Sequence, residues 1–251
     1  MDDDSDDDSS NGDDDNGYPL QEDSEDYPSD LEGLTLLDHL AVEQKFEPIE
    51  ALTGFETNNK YVIKDAEGRK VYYAAEKNWC CTRMLCGSDR SFVIKIVDTK
   101  RREVIRIHRP FKCLGGLCPF CLQELTVESP PKEVIGYCVQ TWNPVVPSFT
   151  IQNEDRENIL KIRGPLFLLG CCGNVTFKVK TYSSGYTIGN ISKRYGGLAK
   201  EMLLDSDSFG MQFPLDLDVK MKAILIGTCF LLDFMYFETF ECPDVPCVSG
   251  V

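Results

Sequence analysis

Closely spaced carboxylates and a set of cysteines are the residues of this chain best suited to chemistry. Asp205, Asp207 and Asp216 surround Gly210 at the first, third, twelfth and sixth positions of an EF-hand-like spacing. Oxygen donors spaced in this way suit a hard cation such as calcium, with the Met211 carbonyl at position seven as a further ligand. The match is partial. Phe209 and Phe213 fill positions five and nine without a side-chain oxygen, and Asp216 is shorter than the usual bidentate Glu. Pro214 and the alternating Leu215-Asp216-Leu217-Asp218 argue against the exiting helix of an EF-hand. On the residues alone, a solvated acidic turn competes with a calcium loop. Missing ligands imply binding on the order of 10⁻⁴–10⁻³ M.

The chain has 12 cysteines, and Met1-Asp2-Asp3-Asp4 lacks the basic and apolar regions of a signal peptide. The expected setting is therefore reducing, which leaves metal ligation, lipidation or burial open for these thiols. Zinc would need four ligands, drawn from Cys118-x-x-Cys121 with Cys171 and Cys172. Only His39 and His108 supply imidazoles and no second Cys-x-x-Cys exists, which weighs against it. Nor is there a Gly-x-Ser-x-Gly, a phosphate-cradling Gly-rich turn, or a His paired with a nucleophile. The expectation is a protein that binds and moves things rather than an enzyme.

The elements that must position these residues follow from periodicity. Of the 41 acidic residues, 15 fall within residues 1–32, which have no Lys or Arg; the remaining 26 balance the 26 basic residues. The acidity thus belongs to a tail, expected to be disordered. Leu34, Leu36, Leu37, Leu40 and Val42 suggest an amphipathic helix over residues 34–45. From Asn59 the period becomes two. Strand pairs flank Asp65-Ala66-Glu67-Gly68, Asp98-Thr99-Lys100-Arg101 and Asn153-Glu154-Asp155-Arg156, and further strand-like runs cover 122–127, 134–140, 175–180 and 186–192. About ten short strands at meander spacing imply a mainly β, antiparallel domain that must close or split to manage its edges.

One apolar run remains, Ala223–Phe237. Its 15 residues span roughly 22 Å as a helix, against a bilayer core of about 30 Å. Asp233 lies inside it and would be costly at mid-bilayer. A helix apolar on every side belongs either in lipid or within a core, where Leu225, Phe230, Leu231 and Phe234 would fill a barrel. Lys220 and Lys222 before it, with Glu238, Glu241 and Asp244 after, would keep the larger part cytosolic if it spans.

Leu52-Thr53-Gly54-Phe55-Glu56-Thr57-Asn58-Asn59-Lys60-Tyr61 resembles the opening of the phospholipid scramblase family. Gln140-Thr141-Trp142-Asn143-Pro144, Phe149-Thr150-Ile151-Gln152-Asn153 and the stretch from Phe209 to Glu238 carry the same resemblance. It covers residues 33–240, leaving an acidic tail at 1–32 and a short tail at 241–251. The resemblance implies a tubby-like fold, a closed antiparallel barrel of twelve strands around a hydrophobic C-terminal helix. It assigns residues 205–216 to calcium, although Ser208 stands where relatives commonly carry Asn. It implies palmitoylation at Cys113, Cys118 and Cys121, in a run less dense than the family's, and a weak nuclear-import segment at Lys193 and Arg194.

From the resemblance we expect a calcium-responsive scramblase at the cytoplasmic face of the plasma membrane, single-pass or lipid-anchored, moving phospholipids both ways without ATP. Self-association and a nuclear pool are further expectations; a nucleic-acid ligand is not, and neither are partners of the family's Pro-rich head, which is absent. The rival expectation is a lipidated module that binds lipid or protein and transports nothing.

Overall fold

Period-two alternation sends one row of apolar side chains to a single face of each strand. In Phe92-Val93-Ile94-Lys95-Ile96-Val97, Phe92, Ile94 and Ile96 are the buried row. The computed structural model describes residues 30–45, 60–77, 90–112, 121–166, 175–194 and 208–237. A 3₁₀ helix (Asp30–Leu36) leads into β1 (His39–Lys45), β2 (Lys60–Lys64), β3 (Lys70–Lys77), β4 (Phe92–Val97), β5 (Glu103–Arg109) and β6 (Glu124–Glu128). There follow β7 (Val134–Gln140), β8 (Ser148–Asn153), β9 (Asn158–Arg163), β10 (Val175–Thr181), β11 (Thr187–Arg194), β12 (Ser208–Gln212) and helix α1 (Val219–Tyr236). Each strand pairs antiparallel with its successor, and β12 closes on β1, so the sheet is a barrel without an edge.

The connections sort by length between the two ends of the barrel. Short turns join β2–β3, β4–β5, β6–β7, β8–β9 and β10–β11 at one end, and all the other strand connections fall at the opposite end. Three of the turns are one device repeated. Asp65, Asp98 and Asn153 each accept a hydrogen bond from the backbone N–H four residues on, at Arg69 (2.9 Å), Arg102 (2.8 Å) and Glu157 (2.8 Å). The fourth residue of each turn is left-handed, with φ of 82° at Gly68, 62° at Arg101 and 64° at Arg156. A register shift follows in each ladder, the pattern of a type I turn with a G1 bulge.

Helix α1 runs through the interior from the turn end to the loop end. Leu225, Phe230, Leu231 and Phe234 are at most 1% exposed, and burial is continuous from Met221 to Leu232. Glycines let it approach one wall closely. A Cβ on Gly227 would meet the side chains of Leu125 and Val127 at 3.0 and 3.1 Å, and one on Gly136 would strike Ile224 at 2.5 Å. Asp218 caps the helix, its carboxylate accepting from the N–H groups of Lys220 (2.8 Å) and Met221 (3.3 Å).

Lys222, read from the sequence as a helix flank, is fully buried where the 3₁₀ helix stoppers the turn end. Its ammonium donates to the carbonyls of Leu34 (2.9 Å), Thr35 (3.3 Å), Leu37 (2.8 Å) and Leu215 (2.8 Å). The Leu34 carbonyl also accepts from the Leu37 N–H at 3.2 Å; the rest belong to the end of a short helix and to a turn, where backbone partners run out. Burial pushes the Lys222 pKa below its ordinary value, against the opposing pull of Asp38 and Asp216.

The expected helix over 34–45 is replaced by the 3₁₀ helix and β1. Leu34, Leu37 and Leu40 are all buried, and their spacing of three mimics a helical stripe. Closure decides the outcome, because β12 and β2 would otherwise both be open edges. β12 was likewise hidden within the acidic spacing, which makes twelve strands rather than about ten. The helix begins four residues before the apolar run, at Val219, because Asp218 supplies its cap.

Leu231→Lys has no such carbonyl cage, and an unpaired core charge costs several kcal/mol against a typical total of about 5–15. Near-UV dichroism and limited proteolysis should show an unfolded domain. Lys222→Met strips the ammonium from four carbonyls, of which Leu34 keeps a backbone donor, and should lower the urea-derived stability by about 3 kcal/mol at neutral pH. Because the folded Lys222 pKa is depressed, the unfolded chain holds more protons between that pKa and 10.5. Wild-type stability therefore gains as pH rises through this window. The deficit of Lys222→Met should widen toward pH 10.5, and a deficit independent of pH would contradict the depressed pKa.

Candidate functional site

The loop end gathers most of the residues with chemical interest. Here the helix nears the barrel mouth, and three buried polar contacts stand where an apolar core would otherwise meet water. Arg90 donates to Glu76 at 2.9 and 3.3 Å, with both side chains at most 2% exposed, and its guanidinium lies 4.4 Å from the Phe234 ring centroid. Lys193 meets Asp233 at 3.4 Å and stands over the Phe209 ring at 4.5 Å. Asp233, the carboxylate that made a membrane span costly, is thus paired inside the barrel with a strand residue 40 positions away. A half-buried pair of this kind costs about 3–5 kcal/mol when one partner is lost, because the other charge is left uncompensated.

The third contact holds the cysteine-bearing connection. Arg109, fully buried at the end of β5, donates from Nε (3.0 Å) and Nη2 (2.9 Å) to the Gln123 Oε1. The Gln123 amide donates in turn to the carbonyls of Lys112 (3.0 Å) and Cys121 (3.4 Å), the two residues that bracket 113–120. Gln140 accepts from the Gln123 backbone N–H at 2.9 Å, fixing this clamp to β7. Sequence reading did not find the clamp; a Gln and an Arg flanking a cysteine run carry no periodic signal.

Of the candidate acyl sites, Cys121 is half-buried, while Cys113 and Cys118 lie outside the described residues. Cys138 and Cys229 are core thiols. Burial pushes Cys138 up to about 12 and holds Cys229 well above the usual thiol range, so neither is a nucleophile at neutral pH.

Of the carboxylate spacing, the described residues include only the part from Ser208 to Asp216. Asp205 and Asp207 lie outside the described residues. Phe209 and Met211 belong to β12, paired on both sides by β1 and β11, and the Phe213 N–H donates to the Asp38 carbonyl at 3.0 Å. All three side chains are buried in the core. Ser208 to Gln212 covers about 13 Å at strand rise. Asp216 therefore sits at the turn end, exposed and facing Lys222, while the chain before Ser208 joins the loop end. Positions five, seven and nine do not face a common ion, and the described residues do not fit a calcium wrapped from 205 to 216. No cluster of three His, Cys, Asp or Glu able to hold a metal occurs among the described residues.

Lys193, expected in an import segment, lies in the barrel wall. At 5% exposure and paired with Asp233, it is closed to a transport receptor while the barrel is folded. Arg194 ends β11 beside it. Among the described residues no helix is long and apolar enough to cross a membrane, and Leu225, Phe230, Leu231 and Phe234 are instead spent on the barrel interior.

A family model described as Scramblase matches residues 20–239. The chain is 51% identical over 212 residues to "Phospholipid scramblase 1" of Homo sapiens, covering 84% of this chain and 67% of the relative. It is 51% identical over 211 residues to "Phospholipid scramblase 2" of Bos taurus, covering 84% and 72%. With "Phospholipid scramblase family member 5" of Homo sapiens it shares 45% identity over 211 residues, covering 84% and 78%. No solved structure gives a significant match.

The clamp yields its own test. Gln123→Ala removes the amide joining Lys112 to Cys121, and trypsin should cut after Lys112 several-fold faster while urea stability falls by only about 1–2 kcal/mol. An unchanged cleavage rate would show that the clamp does not hold this connection.

Proposed function

The chain belongs to the scramblase family, and from that premise we propose that it acts on phospholipids at a membrane surface, moving them between leaflets in both directions without ATP. The observation that carries this reading is the family match over residues 20–239, which takes in the whole barrel and its helix. Cys113, Cys118 and Cys121 hold the barrel at the cytoplasmic face of the plasma membrane through acyl chains. Two chains anchor stably where one would bind reversibly. Support comes from the Gln123 clamp, which tethers both stems of this connection.

Calcium responsiveness belongs to the same proposal and rests on Asp205 and Asp207, the carboxylates that precede β12. Phe209 and Met211 belong to β12 and Phe213 is buried just after it, which supports a response that does not need Asp216.

One observation favours a second reading. α1 is buried on every side and offers no polar furrow for headgroups, which suits a lipid-tethered binding module without transport of its own. Transport by this chain would call for self-association or for release of the helix.

Purified protein in symmetric liposomes, assayed for headgroup-labelled lipid flip with and without calcium, separates the two. Calcium-stimulated flip that is lost in Asp205→Ala and kept in Asp216→Ala is the expected result. Vesicle binding without flip would leave only the binding module.

A further inference from the structure

A barrel that meets a bilayer from one side must present some part of its surface to it, and the two ends of this barrel differ. At the loop end, three successive connections around the wall each expose an apolar side chain. Phe111, after β5, is 58% exposed; Trp142 and Val145, between β7 and β8, are 50% and 60% exposed; Leu166, after β9, is 55% exposed. Strands β5 to β10 are consecutive neighbours, so these side chains form one arc rather than scattered points. An aromatic ring beside aliphatic tips is the composition that partitions into the headgroup boundary.

Charge distinguishes this arc from the apolar residues at the other end. Lys112 and Arg163 flank it, and Glu124, at the start of β6, is engaged by Lys112 at 3.6 Å and Arg156 at 2.6 Å. At the turn end, Leu36, Tyr186 and Leu215 are also exposed, but the charge around them is mixed: Glu67, Asp155, Glu157 and Asp216 stand exposed among Arg69, Lys100, Arg101, Arg102, Lys132 and Arg156. The basic flanks of the first end would attract an anionic surface, whereas the mixed charges of the second give it no such bias. The chain that leaves the arc continues in kind, since residues 113–120 and 167–174 contain no charged residue.

The geometry points to the rim formed by Phe111, Trp142, Val145 and Leu166, with Lys112 and Arg163, as the surface on which the barrel docks to an anionic lipid bilayer. It rests on the membrane role proposed above but not on transport, acylation or calcium. Docking here brings the helix C-terminus and the Lys193–Asp233 pair toward the lipid and turns Lys222 and its carbonyl cage away from it.

The test uses the full chain, produced without acylation, and vesicles of phosphatidylcholine and phosphatidylserine. In a Trp79→Phe background, Trp142 should shift to the blue on binding and be quenched by brominated lipid. A turn-end reporter, Tyr186→Trp with Trp79→Phe and Trp142→Phe, should be neither shifted nor quenched. Trp142→Ser combined with Val145→Ser and Leu166→Ser should weaken vesicle binding at least about tenfold and leave the thermal transition unchanged, since all three side chains are exposed. Vesicle binding with Trp142 unquenched, equal quenching of the turn-end reporter, or full-strength binding by the triple variant would each overturn the proposal. So would absence of binding by the wild-type chain, or self-association abolished by the triple variant while vesicle binding persists, which would assign the rim to a second copy. Lipid flip is read separately: rim-dependent binding without flip defeats the scrambling reading and leaves the rim standing.

Discussion

A helix with no polar face must be surrounded, and most of this fold follows from that constraint. An open sheet would cover one side of α1 and leave the rest in water. Twelve antiparallel strands closed into a barrel cover all of it, and closure in turn removes the edges that a long meander would expose. The fit is tight enough to exclude side chains at Gly136 and Gly227. Apart from Thr228 at mid-helix, whose hydroxyl donates to the Ile224 carbonyl at 2.9 Å, the charged groups buried against the helix lie near its ends, where they are satisfied. Lys222 is caged by carbonyls at one end; at the other, Asp233 is paired with Lys193, and Arg90 with Glu76.

The ends nonetheless differ in kind. At one, bulged turns repeat a single hydrogen-bonding scheme and the 3₁₀ helix closes the mouth. At the other, connections are longer and more varied, and side chains help to hold them, as where Arg109 engages Gln123 and Gln123 reaches the Lys112 and Cys121 carbonyls. A rigid scaffold with variable connections at one rim is a common way to place recognition on a stable core. The apolar arc and the cysteine connection share that rim, whereas Asp216 belongs to the closed end.

Much of the fold was legible in the sequence because its signals are local. Asp65, Asp98 and Asn153 announce their turns within five residues, and Phe92-Val93-Ile94 shows its pleat directly. β1 was not legible, because Leu34, Leu37 and Leu40 satisfy a helical spacing while the reason for a strand, closure against β12, lies at the far end of the chain. β12 was masked by carboxylates whose spacing suggested a loop. The candidate site was less legible still. Lys222 finds its carbonyl at Leu34 across 188 positions, and Lys193 finds Asp233 across 40, so neither partner could be read from spacing. The family resemblance supplied what periodicity could not, the helix within the barrel; of the stretch it assigns to calcium, Ser208–Gln212 is strand and residues 205–207 lie outside the described residues.

The chain also passes through its own barrel from mouth to mouth. Asp30 enters beside the closed end, and Phe237 emerges at the other after α1 has crossed the interior. The molecule is therefore vectorial. With the apolar rim on a bilayer, cargo joined before Asp30 would stand off by a barrel's length, whereas cargo joined after Phe237 would start at the lipid. The acidic stretch of residues 1–32 joins the barrel at Asp30, at the end away from the basic residues of the rim.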